Sequence, residues 1–179
     1  MNIAVYCGSA PGNKPEFTEG AARLAKWIAQ SGNTVVFGGT KFGLMGTVAD
    51  TALENGGKVI GVLPELEYLK ERQHQGLSEY VYKADMAARR SKMIELADAY
   101  VALPGGPGTL DEISEVLCLA RLGIDNKPCI FFNTNGFYDS LVKLFDEMID
   151  NEFSTKNDYR NVLVSDDIEK IEEFITSHF

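Results

Sequence analysis

Ala99-Tyr100-Val101-Ala102-Leu103-Pro104-Gly105-Gly106-Pro107-Gly108-Thr109-Leu110-Asp111-Glu112 passes from an apolar run through a glycine-rich turn into a helical pattern beginning near Leu110. Strand, tight turn, helix is the repeating unit of a parallel α/β sheet. Gly105, Gly106 and Gly108 leave backbone N–H groups uncovered at the positive end of a helix. Such a turn is a ready site for a phosphate. Glu112 lies one helical turn inside. An acid beside a phosphate site points to an enzyme acting on a phosphorylated small molecule. A plainer reading competes. Thr109-x-x-Glu112 also spells a capping box, in which the two side chains only satisfy free N–H groups, and Gly105-Gly106 suits a tight turn. A cap alone does not account for three glycines and two prolines between Pro104 and Gly108.

The same alternation runs along the rest of the chain. Ile3–Tyr6, Thr34–Phe37, Lys58–Leu63, Glu79–Val81, Ala99–Ala102 and Pro128–Phe132 read as strands, with Val162–Val164 as a short edge strand. Pro15–Ser31, Leu44–Asn55, Met86–Ala97, Thr109–Leu122, Phe137–Glu152 and Asp167–Ser177 read as helices. Pro15 suits a helix start, and Gly32 and Gly56-Gly57 suit helix ends. Continuously apolar strands between helices predict a doubly wound, Rossmann-like α/β fold with a parallel sheet covered on both faces, in a single domain over residues 1–179. Ligands of such folds sit beyond the carboxyl ends of the strands. Three strand exits there are rich in glycine: Cys7-Gly8-Ser9, Gly38-Gly39 running on to Gly43-Leu44-Met45-Gly46, and the Pro104 turn. Together they predict one ligand mouth.

Two familiar nucleotide loops are excluded. A dinucleotide fold needs Gly-x-Gly-x-x-Gly after its first strand and an acid ending the second; here those places hold Cys7–Gly12 and Gly38-Gly39. A Walker loop needs Gly-Lys-Ser/Thr, a triplet this chain lacks. Positive charge for an anion comes from Arg89-Arg90 at the start of a helix. Cations are unfavourable there unless an anion is near. The alternatives are a solvated basic face or salt bridges to some of the 26 acids.

The chain's net charge of −9 repels nucleic acid. No apolar run approaches the ~18 residues of a membrane span. The first strand begins at Asn2 with no basic leader before it, so an exported protein is not expected. Cys7, Cys118 and Cys129 are scattered and form no Cys-x-x-Cys pair, so they read as reduced thiols of a cytoplasmic protein. His74 and His178 are too far apart for a zinc site of known spacing, and no metal is expected.

With these residues assembled, the chain resembles the Lonely Guy family of cytokinin-activating phosphoribohydrolases, many of which carry the label lysine decarboxylase-like. The resemblance rests on Cys7-Gly8-Ser9, Gly38-Gly39, Gly43-Leu44-Met45-Gly46, Gly57-x-Val59-x-Gly61-Val62-x-Pro64, Met86-x-x-Arg89, Ala97-Asp98-Ala99, Leu103-Pro104-Gly105-Gly106-x-Gly108-Thr109-x-x-Glu112, Leu122-Gly123-Ile124 and Lys127-Pro128, in collinear order. It implies hydrolysis of the N-glycosidic bond of a nucleoside 5′-monophosphate, giving free base and ribose 5-phosphate. It implies Arg89 and Glu112 as the catalytic pair. Gly8, Ser9, Gly38, Gly39, Glu71, Arg90, Gly105, Gly106, Gly108, Thr109 and Cys118 would bind the substrate. It implies a homodimer and no organic cofactor. The decarboxylase label would imply pyridoxal phosphate, but no lysine stands in a setting that suggests a Schiff base. The apolar positions Ile113, Val116, Leu117 and Ala120 fit the dimer if they exceed what one sheet face covers.

The chain also departs from the family pattern. Ala87 stands where the family usually has His, Arg90 where it has Lys, Cys118-Leu119 where it often has Thr-Trp, and Arg121 and Asp125 replace Gln and His. The phosphate turn and the catalytic pair are intact, so these changes bear on the base rather than the reaction. The alternative to a hydrolase is a nucleotide-binding or carrier protein on the same fold; retention of both Arg89 and Glu112 favours the enzyme.

Overall fold

The computed structural model describes residues 1–179, the side chains of Tyr68 and Leu69 excepted. The strands are β1 (Asn2–Tyr6), β2 (Thr34–Phe37), β3 (Lys58–Pro64), β4 (Glu79–Lys83), β5 (Ala99–Ala102), β6 (Cys129–Phe131) and β7 (Val162–Val164). The α-helices are α1 (Pro15–Gln30), α2 (Gly43–Glu54), α3 (Met86–Leu96), α4 (Pro107–Arg121), α5 (Asp139–Asp150) and α6 (Ile168–Thr176). The seven strands form one sheet in the order β4-β3-β2-β1-β5-β6-β7, and every pairing is parallel. The doubly wound α/β expectation holds.

Alternation along the strands divides the core in two. Ile3, Val5, Val35 and Phe37 face one way and pack with Leu24, Ile28 and Val48 of α1 and α2 and with Ile171 and Ile175 of α6. Ala4, Tyr6, Val36 and Tyr100 face the other way and pack with Met93 of α3 and Ile113 and Val116 of α4. Each large apolar side chain buried in this way contributes about 1.5–3 kcal/mol. Ile113, Val116 and Ala120 are thereby covered within this chain and offer no apolar surplus for a partner, while Leu117 is half-buried against the same cluster.

The chain turns back at β1, whose neighbours are β2 and β5. That reversal opens a crevice beyond the carboxyl ends of the two strands, and the glycine loops close around it. Gly8 N–H donates to Pro104 O at 3.1 Å, joining the β1 and β5 exits, and Met45 N–H reaches Gly8 O at 3.4 Å from α2. Gly43 has φ +58, and a Cβ there would run into the Ser9–Ala10 backbone. Its lack of a side chain lets the β1 and β2 exits touch.

Two helix starts differ from expectation. α4 starts at Pro107, with Gly106 as N-cap and no side-chain capping bond. Proline's missing N–H and fixed φ suit the first helical position. Thr109 and Glu112 therefore lie inside the helix, and the capping-box reading does not apply. α5 begins at Asp139 because Thr134–Gly136 forms a separate 3-10 turn.

Gly43→Ala is expected to lower the unfolding free energy by about 1–3 kcal/mol through strained backbone. Chemical denaturation measures this; an unchanged midpoint and slope would show that the loops do not need this contact.

Candidate active site

A cavity of about 430 Å³ lies at the crevice. The β1 exit supplies Cys7, Gly8 and Ser9, and the β5 exit supplies Gly106 to Thr109. Gly38, Thr40 and Met45 come from the β2 exit, and Pro64, Arg72 and Met86 close the side beyond β3. Arg89 of α3 and Glu112 of α4 lie between these walls.

The sequence brings Arg89 and Glu112 together by simple means. Asp85 caps α3, its side chain accepting from Ala88 N–H at 2.8 Å. The helix then carries Arg89 inward while Met93 anchors the next turn. Arg89 Nη1 donates to Glu112 Oε1 at 2.6 Å, and Arg89 Nε donates to Val62 O at 3.0 Å. Both residues are buried, at 4% and 6% exposure. A side chain on Gly38 would collide with Arg89 Nη2, so glycine at 38 makes room for the guanidinium. Burial pushes the Glu112 carboxyl above its ordinary range, and Arg89 pulls the other way. Burial also pushes up the Cys7 thiol; a thiol held protonated is no nucleophile. On the wall it shares with Gly8 and Ser9, the α4 N-terminus presents backbone donors that have no intrahelical partner.

The cavity collects Gly8, Ser9, Gly38, Arg89, Gly106, Gly108, Thr109 and Glu112 of the expected residues. The others lie off its wall. Gly39 turns the chain at φ +79 against Leu63. Gly105 faces an adjoining groove with Phe17 and Phe137. Arg90, one position round the helix from Arg89, is held by Glu115 at 3.0 Å and Asp111 at 3.3 Å. That is the salt-bridge alternative for this residue. Cys118 is exposed on α4, six positions beyond Glu112 and so on another face of the helix. Glu71 is exposed in the 3-10 turn Glu67–Arg72.

Its neighbour Arg72 reaches the cavity instead. Lys41 N–H donates to Arg72 O at 2.9 Å and Thr40 bridges Gln73, which ties the turn to the β2 exit. No local pattern in the sequence signals that long-range pairing.

Arg89→Met is expected to cost about 3–5 kcal/mol near neutral pH, because it leaves a buried carboxylate unpaired. Without Arg89 the Glu112 carboxyl rises further, so the folded state binds its proton more tightly than the unfolded chain. Stability of the variant then falls as pH rises through the folded-state value. Its melting temperature, relative to the parent, should be higher near about pH 5 than near about pH 7.5, and adding Glu112→Gln should remove that slope. A deficit independent of pH would contradict the pairing.

A family model described as possible lysine decarboxylase matches residues 45–175. A cytokinin riboside 5′-monophosphate phosphoribohydrolase from Rhodococcoides fascians is 40% identical over 169 residues, covering 94% of this chain and 85% of that protein. The cytokinin riboside 5′-monophosphate phosphoribohydrolase LOG from Oryza sativa subsp. japonica is 36% identical over 181 residues, covering 98% of this chain and 74% of that protein. Among solved structures, the Moco carrier protein from Chlamydomonas reinhardtii superposes with a TM-score of 0.73 over 98% of both chains at 22% identity, a likeness of fold. The word decarboxylase implies pyridoxal phosphate, which needs a lysine for its Schiff base. Among the described residues the cavity wall carries no lysine, and the group does not fit. With identity to the phosphoribohydrolases spread over nearly its whole length, and with the glycine turn and the buried Arg89–Glu112 pair in one cavity, the chain belongs to the Lonely Guy family.

Proposed function

We propose that this protein hydrolyses the N-glycosidic bond of a purine nucleoside 5′-monophosphate, cytokinin nucleotides included, to free base and ribose 5-phosphate. The observation that carries the proposal is the buried Arg89–Glu112 pair facing the same cavity as the open N-terminus of α4. The backbone donors at Gly108 and Thr109 hold the 5′-phosphate, with Gly8 and Ser9 completing that wall. Fixing the phosphate fixes the sugar, and bound geometry replaces a chance encounter.

Cleavage of the C1′–N bond leaves positive charge on the sugar, as in other glycoside hydrolyses. Glu112 lies where a carboxylate stabilises that charge through the ribose hydroxyls and accepts the proton of the attacking water. A carboxyl raised by burial is a better base near neutral pH than an exposed one. Arg89 holds Glu112 in place and keeps it from being neutralised outright. The reaction consumes one water and needs no electron carrier.

The reading extends to assembly and location. Leu110, Leu122 and Ile124 are exposed on and just after α4; an apolar surface of this kind supports a homodimer. Buried Cys7 and Cys129, with Cys118 exposed and unbridged, support a reducing compartment such as the cytoplasm. Among the described residues, no helix is long and apolar enough to cross a membrane.

Purified protein should release base and ribose 5-phosphate from at least one purine 5′-monophosphate without added cofactor. The matching nucleoside should react far more slowly, since it lacks the phosphate that positions the sugar. Glu112→Gln should lose on the order of 10² or more in rate while still binding nucleotide. Product chromatography and calorimetric titration read both quantities. A variant that turns over like the parent would remove Glu112 from the chemistry. One that binds without any parental turnover to lose would leave a carrier.

Light scattering at micromolar protein is expected to give the mass of a dimer or larger; a monomer mass would refute the assembly.

A further inference from the structure

The chemistry just described leaves one requirement unmet. When the C1′–N bond breaks, its electron pair goes to the base, which departs carrying negative charge. Arg89 is anchored midway along the cavity, its Nη1 bound to Glu112 and its Nε to Val62 O, rather than at the end where the base lies. Among the described residues the wall has one other cation, Arg72. It forms no ion pair among the described residues, and its guanidinium rests over the exposed ring of Phe42 at 5.4 Å. That contact steadies a cation without neutralising it.

Position follows from topology. The phosphate-holding wall belongs to the β1 and β5 exits, whereas Arg72 is tied through Lys41 and Thr40 to the β2 exit, beside Pro64 at the end of β3. In the sheet order β3-β2-β1-β5 these lie at opposite ends of the cavity, with Arg89 and Glu112 between. A nucleotide with its phosphate on the glycine turn and its sugar at Glu112 extends its base toward Arg72. Pro64, Met45 and Met86 give that end an apolar lining suited to a flat ring. Glu112 is the sole carboxylate on the wall among the described residues. The end that meets the base therefore offers donors and no anion.

We propose that Arg72 is a further catalytic residue, stabilising the departing base by hydrogen bonds to its ring nitrogens; this rests on the phosphoribohydrolase reading above. The balance is simple. The C1′–N pair moves to the base, the water oxygen bonds to C1′, one water proton passes to Glu112, and the base takes up a proton from solvent as Glu112 returns its own. Arg72 keeps its protons throughout and only donates hydrogen bonds.

The test varies how much help the base needs. Parent, Arg72→Leu and Arg72→Lys proteins are assayed on adenosine, 6-chloropurine riboside and 7-methylguanosine 5′-monophosphates. Their bases leave with increasing ease, and 7-methylguanine departs without net negative charge. Arg72→Leu should lose about 10²-fold in kcat on the adenosine nucleotide, less on 6-chloropurine, and no more than about threefold on 7-methylguanosine. Arg72→Lys should recover part of the loss. Arg72 is exposed, so the melting temperature should not move. An equal loss on all substrates would make Arg72 a general binding group and overturn the role, as would no loss at all. A parent protein inactive on every nucleotide would overturn the proposed function and this role with it.

Discussion

Taking a guanidinium and a carboxylate out of water costs several kcal/mol per ion, and the pair is tolerated only if its partners are well placed. Arg89 and Glu112 meet that condition at 2.6 Å, with Val62 O taking a further guanidinium donor. The surroundings follow from it. α3 must deliver Arg89 to the end of β3, α4 must place Glu112 opposite, and residue 38 must have no side chain where the guanidinium lies. An ion pair replaceable by apolar residues at little cost in stability is an expensive way to join two helices. Its position on a cavity wall is what gives the arrangement chemical sense.

The second constraint is the reversal of winding at β1. It sets the β1 and β5 exits side by side, where Gly8 and Pro104 are hydrogen bonded. Side-chain caps are not universal among the helices: α1, α2, α4 and α5 have none. α3 and α6 have aspartate caps. α4, whose N-terminus faces the cavity, starts with Gly106 and Pro107 and has no side-chain cap. A capping carboxylate there would occupy the donors an anion needs and repel it.

Arg89 and Arg90 show how neighbouring residues part company. One is buried against Glu112, and the other, about 100° round the helix, lies against Asp111 and Glu115. Both bind acids, but only the first pair faces the cavity. Glu71 and Arg72 also part company: both are exposed, but only Arg72 reaches the cavity wall.

The strands, the helices and their alternation were legible in the sequence, because apolar runs and helical periodicity are local and strong in a parallel α/β chain. The glycine turn with Glu112 was legible because turn chemistry depends on a few adjacent residues. The start of α4 was not, since Pro107 suits a turn and a first helical position equally. Arg72's place depended on the tie between the Glu67–Arg72 turn and the β2 exit, some thirty residues away in the chain. Local sequence determined which elements form and which residues could do chemistry. Which of them share a cavity was decided by long-range pairing and by the direction each helix face takes after packing, neither of which is written in any short stretch of the chain.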